Sequence, residues 1–298
     1  MARNYYYLVA GLKEYQPDSE TKGFDAVAVR DGIAAQLQAE DAGFLRDFYA
    51  FYDIVNLIAL LQGKERFDRL GNFTREELRE ELESQQMLRF PEYIRSVLLA
   101  YRNRTKEDKY NEIDETVDTE LPQERNLWMR YYRYCEGSKC AFIRKWYGFD
   151  RDLRNIAAAY TARRQKREIA PELIGDDEVT EALVRSSALD FGLKEEVDYI
   201  DRLIQILETP DMVEKERKLD LLRWEKADGF TDFDYFNINR ILAYCAKIDI
   251  IQRWLTLDPK TGEAMFRRLL SELTGREIVD GAVRRAEREA EENKRRIG

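Results

Sequence analysis

Apolar residues recur at three- and four-residue spacing along almost the whole chain, and only 6 prolines and 15 glycines interrupt its 298 residues. That spacing gathers apolar side chains on one face of a helix, whereas turns and strands would need more of both breakers. The chain therefore reads as all-α. Its 44% apolar residues suffice for a large buried core and its 36% charged residues for a wet surface. The periodicity predicts helices over about 25–38, 41–62, 74–88, 91–106, 122–136, 138–147, 150–168, 177–190, 194–208, 211–227, 232–256, 261–274 and 277–296. Thr74-Arg75-Glu76-Glu77 is a capping box, Pro91 suits a first helical turn, and Thr231 is placed to cap the long helix after it. The opening YYYLVAGL is the one stretch that passes for a strand. Residues 107–120, EDKYNEIDETVDTE, are acidic and aperiodic and read as a linker.

Inside the 41–62 helix lies Phe51–Leu61, FYDIVNLIALL, where Asp53 and Asn56 are the only polar residues among eleven. The pair recurs as Asp152-Leu153-Arg154-Asn155-Ile156 and as Asp234-Tyr235-Phe236-Asn237-Ile238, each followed by an apolar helical run. With 25 Asp and 10 Asn in the chain, chance placement gives ~0.8 Asp-x-x-Asn pairs. There are four; the fourth, Asp108 to Asn111, lies in the acidic linker and lacks the apolar residue after it. The first two copies match further upstream. Phe44–Phe51 (FLRDFYAF) aligns with Phe142–Phe149 (FIRKWYGF), one inserted residue then preceding the Asp, while the third copy keeps only Leu221-Leu222-Arg223. Copies 99 and 82 residues apart imply a triplicated helical unit, with bundles over 1–120, 121–210 and 211–298, the last including a C-terminal helix.

Positions i and i+3 share one side of a helix. If a helix starts at the Asp, its carboxylate caps the free amides of the first turn, and Asn56, Asn155 or Asn237 takes the N3 position. If the helix runs through, the pair must meet polar groups of a neighbour, because an unmatched buried polar group costs ~1–3 kcal/mol. Either way each copy pins one helix junction.

With these residues the sequence resembles the C-type stalk-to-ring subunits of the V-type and archaeal-type rotary ATPases, whose eukaryotic counterparts are the d-type subunits. It is similar to a divergent bacterial branch of that family. The family carries an aromatic YxY-like opening, here Tyr5-Tyr6-Tyr7-Leu8-Val9-Ala10, and three Asp-x-x-Asn-[Leu/Ile] repeats, here at Asp53, Asp152 and Asp234. The resemblance implies a funnel of three similar helical bundles around a pseudo-threefold axis. It implies a non-catalytic protein on the cytoplasmic face of the membrane proteolipid ring, with the tip of the central stalk in its bore. It implies torque transfer without chemistry, cofactor or small-molecule substrate. The chain departs from the family in two ways. The basic residues that follow the Asn are kept only loosely, as Lys64, Arg163 and the more distant Lys247. Pro17, Asp18 and Gly23 interrupt what is usually a continuous first helix.

Other features narrow the alternatives. The chain has no His, which removes Ser-His-Asp and Cys-His nucleophile pairs and His metal ligands. A net charge of −9 argues against a phosphate-gripping nucleic-acid binder. Gly63-Lys64 lacks the upstream glycine of a phosphate loop, and Cys135, Cys140 and Cys245 have no spacing for a metal site. Three cysteines in a long chain suit a reducing compartment, and no apolar run approaches a membrane span, so the expected location is cytoplasmic. Trp128–Tyr134 (WMRYYRY) mixes bases and aromatics, as single-strand binders do, but also reads as an amphipathic helix with snorkelling Arg. Arg163, Arg164, Lys166 and Arg167 suit a helix C-terminus, or a contact with acidic stalk residues or lipid headgroups. Two further readings remain: a generic helical adapter, and a Mg²⁺-dependent enzyme resembling isoprenoid synthases. For the latter, Asp176-Asp177-Glu178 with Glu181 is the nearest acidic cluster, although Asp176 also reads as a helix N-cap.

Overall fold

The computed structural model describes residues 5–13, 24–104 and 117–257. Among them are eleven α-helices, one 3₁₀ turn and no strand. The α-helices are α1 Tyr6–Gly11, α2 Ala26–Ala34, α3 Ala39–Leu61, α4 Arg75–Glu83, α5 Glu92–Arg104, α6 Gln123–Glu136, α7 Ala141–Arg164, α8 Glu178–Arg185, α9 Ile200–Leu207, α10 Met212–Gly229 and α11 Ile238–Leu257. The expected helices at 261–274 and 277–296, the Asp108–Asn111 pair and most of the acidic linker lie outside the described residues.

Local chemistry sets several boundaries. The Thr74 hydroxyl accepts from Glu77 N while the Glu77 carboxylate accepts from Thr74 N, so the capping box opens α4. That helix stops at Glu83 rather than near 88, ahead of a turn in which Met87 takes φ 48°. Similarly, the expected 177–190 helix ends at Arg185 and the 194–208 helix begins only at Ile200, because Phe191 (φ 55°) and Gly192 (φ 73°) turn left-handed between them.

Three further expectations are corrected. YYYLVAGL is helical, not a strand: Val9 N bonds to Tyr5 O within the segment, and Tyr5 N bonds to Phe236 O. The helices expected at 138–147 and 150–168 are one continuous α7. Asp150, the residue most able to break it, has its carboxylate occupied by the Tyr132 hydroxyl at 2.6 Å and does not compete for local amides. Thr231 does not cap the last long helix. Its hydroxyl donates to the carbonyls of Ala227 and Asp228 at the end of α10, and α11 begins seven residues later.

One apolar cluster runs from Leu8 to Ile248 and draws on all three expected units. Its centre is aromatic: Phe48, Phe51, Trp128, Tyr131, Tyr132 and Tyr147 bring α3, α6 and α7 ring to ring. Buried tyrosines find partners in helix carbonyls. Tyr131 donates to Asp47 O at 3.2 Å, and Tyr147 donates to Phe48 O. A small second cluster of Leu221, Trp224, Ile250, Ile251 and Trp254 joins α10 to α11.

Candidate functional site

Asn56 and Asn155 sit well inside long helices, each 1% exposed, so neither pair begins a helix. A buried primary amide offers one acceptor and two donors, which is what a stretch of backbone leaving a helix needs. Asn56 Nδ2 donates to Asp68 O at 2.8 Å while its Oδ1 accepts from Asp68 N at 2.7 Å. Asn155 repeats this on Ile174, with Nδ2 to the carbonyl at 2.8 Å and Oδ1 from the amide at 2.9 Å. In both units the clamped residue lies on the loop that leads from the long helix to a short capped one, α4 or α8.

The carboxylates act differently. Asp53 Oδ1 accepts from Asn72 N at 2.7 Å and Phe73 N at 3.2 Å, and its Oδ2 accepts from Asn72 Nδ2 at 2.6 Å. The same loop passes so close that a Cβ on Gly71 would lie 2.7 Å from Asp53 Oδ1 and 3.1 Å from Asn56 Nδ2, so only glycine fits. Burial pushes the Asp53 carboxyl up from 3.8 to about 6 against the pull of these donors. Asp152 grips no loop amide. It pairs with Arg151 at 3.2 Å, and Arg151 in turn holds Asp177 at 2.5 Å and Glu136. Asp177, not Asp176, caps α8 by accepting from Thr180 N at 2.9 Å. The Asp152 carboxyl is likewise raised to about 6, by burial, with Arg151 opposing.

The third pair differs from both. Asp234 and Asn237 precede α11, where Asn237 Oδ1 accepts from Arg240 N at 3.2 Å as a helix cap. Asp234 accepts from Asn237 and, at 3.2 Å, from Asn239 Nδ2. Asn239 Oδ1 then accepts from Phe142 N at 3.2 Å, joining the start of α11 to the start of α7.

A cavity of about 930 Å³ is walled by α2, α3, α6, α7, α10, α11 and the loop after α3. Phe48, Tyr52, Val55, Trp128, Trp146 and Ile250 supply apolar wall. Six acids line it, and each is engaged by a donor of the chain. Asp25 accepts from Val27 N, Asp68 from Leu70 N, Glu124 from Gln62 Nε2 and Asp150 from the Tyr132 hydroxyl. Asp220, fully buried, accepts from Trp254 Nε1 at 2.6 Å, Arg223 at 3.1 Å and Arg253. Asp249 accepts from the Tyr49 hydroxyl at 3.2 Å, and burial raises its carboxyl well above the usual range.

The remaining sequence candidates are placed as follows. Arg163 turns onto the Phe191 ring and donates to the carbonyls of Ser186 and Ala188, anchoring the end of α8. Arg102, at the end of α5, binds the carbonyls of Leu82 and Ser84 in the same manner at the end of α4. Arg167 pairs with Glu172, and Arg164 bonds to the Tyr160 hydroxyl, which leaves Lys166 as the cation of the cluster without a hydrogen-bond or ion-pair partner among the described residues. Trp128, Tyr131 and Tyr132 are buried, while the exposed Tyr134 stacks on Tyr93 and donates to Asp47, so the aromatic-basic stretch packs as an amphipathic helix. All three thiols are buried, and burial pushes them up, away from the reactive thiolate. Among the described residues no group of His, Cys, Asp or Glu is arranged to hold a metal ion, and no helix is long and apolar enough to cross a membrane. Sequence reasoning missed Asp220, Asp249 and the cavity-lining Arg66 and Arg69 of the loop after α3. Asp249 had a signal, a carboxylate within the apolar run Ile248–Ile251, but no Asn three residues on.

Searches of the curated proteins and of the solved structures find no match. A family model covers residues 1–277, and the chain belongs to the family it describes as "Protein of unknown function (DUF2764)".

Proposed function

We propose that this chain is a non-catalytic rotor-coupling component of a V/A-type ATPase, seated between the central stalk and the membrane proteolipid ring on the cytoplasmic face. In this reading three related helical units surround the central cavity as a funnel, and the cavity receives the stalk tip. The observation that carries it is the repeated junction: Asn56 and Asn155 clamp a loop backbone with the same pair of hydrogen bonds, 99 residues apart. A part that passes on torque must resist bending where long helices meet loops. Buried bidentate amides in a low-dielectric core are rigid, directional ties for that purpose. The resemblance of the motif order and the all-helical build support the same assignment.

The test is capture of the tagged full chain from detergent-solubilised native membranes, with the co-purifying proteins identified by mass spectrometry. Stalk and proteolipid subunits are the expected companions. Recovery of an unrelated complex would make the chain an adapter, and Mg²⁺-dependent turnover of prenyl diphosphate by the purified chain would make it a synthase.

A further inference from the structure

We propose that the contact of α11 with α3 is a proton-operated latch: Asp249 keeps it closed while its carboxyl carries a proton, and loss of that proton loosens the turn of α11 that walls the cavity. The latch depends neither on what enters the cavity nor on the rotor assignment.

Asp249 stands in the middle of α11 within the apolar run Ile248–Ile251, only 9% exposed, and forms part of the cavity wall. What reaches it from α3 is phenolic. Tyr49 donates to it at 3.2 Å, and Tyr52, three residues on, donates as well. Burial pushes both phenols well above their usual range, so they remain donors. No neighbouring element supplies a counter-charge. From α2, Arg30 lies over the Tyr49 ring and commits its guanidinium to the carbonyls of Leu70 and Gly71 at 2.8 and 3.0 Å. On α11 itself, Arg253 pairs with Asp220 and Glu216, and burial keeps the Cys245 thiol protonated. On α10, Arg223 pairs with Asp220; on α7, Asp150 accepts from Tyr132 and Arg154 lies on the Trp128 ring. The loop after α3 brings Asp68, a like charge, alongside the exposed Lys64, Arg66 and Arg69 of the cavity lining. Among the described residues, no Lys or Arg forms an ion pair with Asp249.

A buried carboxyl escapes an uncompensated charge by pairing with a cation or by keeping its proton. Asp249 has no paired cation and keeps the proton: burial lifts its carboxyl well above the usual carboxylate range, with the Tyr49 and Tyr52 donors opposing. Once ionised, it must be met by water. The cavity is the route for that water, and full hydration requires α11 to part from α3. The same turn of α11 holds a second helix, because Gln252 Oε1 accepts from Ala26 N at 3.0 Å at the start of α2. Loosening this turn therefore frees α2 and reshapes the wall that Asp249, Ile250 and Gln252 form. The folded chain binds the Asp249 proton more tightly than the unfolded one. The stabilisation is thus complete below pH ~4 and is lost as pH rises through the folded-state value.

The experiment is hydrogen exchange of the purified full chain, read by mass spectrometry from about pH 5 to about pH 9. Exchange in α11 peptides is divided by exchange in α5 peptides, so that the chemical pH dependence of exchange cancels. Asp249→Asn, nearly isosteric but unable to ionise, is run beside the wild type, with its melting curve as the folding control. In the wild type the ratio is expected to rise at least about tenfold across the range, and in Asp249→Asn to stay flat. A flat ratio in the wild type, or an equal rise in both proteins, overturns the proposal. If Asp249→Asn does not fold, Tyr49→Phe decides. It removes one donor to the carboxylate and so raises the folded-state value further, and the rise in the ratio should continue to higher pH than in the wild type. A rise that ends at the same pH in both overturns the latch.

Discussion

The corners at Asn56 and Asn155 use the same amide clamp, but the carboxylates three residues earlier do not share a task. Asp53 holds the next loop directly through two backbone amides and Asn72, whereas Asp152 works through Arg151, which spans Glu136, Asp152 and the α8 cap Asp177. The difference teaches that the amide defines the junction and the acid is adaptable. An Asn side chain reproduces a backbone hydrogen-bond pattern that few other residues can offer, so the geometry of the loop depends on it. A carboxylate needs only donors, and an arginine supplies them as readily as a turn does. The corner before α11 carries the lesson further, because there the same two residue types make a cap at a helix end rather than a clamp within one.

This comparison can be broken by substitution. Asn56→Ala and Asn155→Ala should each cost about 3 kcal/mol in urea unfolding, since each strands a buried amide and a buried carbonyl. Asn237→Ala should cost only about 1 kcal/mol, the usual loss of a cap. Equal losses at all three sites would erase the distinction between clamp and cap. Next, Gly71→Ala should cost about 2 kcal/mol, because its Cβ would drive Asp53 off the loop amides. A neutral result would show that the first corner has slack.

The acids should separate by a smaller margin. Asp53→Ala is expected to lose about 2 kcal/mol by leaving Asn72 N and Phe73 N bare, and Asp152→Ala about 1 kcal/mol, because Arg151 keeps Asp177 and Glu136. A larger loss at Asp152 would reverse the assignment of roles. The same burial sets a pH dependence. Burial raises the folded-state value of Asp53 from 3.8 to about 6, so the folded protein holds that proton more tightly than the unfolded chain. The resulting stabilisation is complete below pH ~4 and is lost as pH rises through about 6, by about 3 kcal/mol. Asp53→Asn should flatten this part of the stability–pH curve relative to the wild type, as thermal melts across the range would reveal.

Helix content was legible because a 3.6-residue period is written locally, and α3, α5, α6 and α10 fall near their expected bounds. The misjudged places are those where a distant residue decides. Asp150, a poor helix former, sits within α7 with its carboxylate taken by Tyr132, and α1 is docked by Phe236, 230 residues from Tyr6. The polar pairs announced themselves as polar residues inside apolar runs, but their partners did not. Asp68 and Ile174 contribute only backbone, 12 and 19 residues beyond their Asn, and no side-chain pattern marks such positions. The cavity was invisible for a related reason, since its walls come from helices far apart in sequence that meet only in three dimensions.

The central claim, that this chain couples a rotor to a membrane ring, is tested most directly by ATP-driven ion uptake in native membrane vesicles from cells lacking it. The account predicts that uptake disappears and returns when the purified chain is added back. Uptake undiminished by the loss of the chain would contradict it.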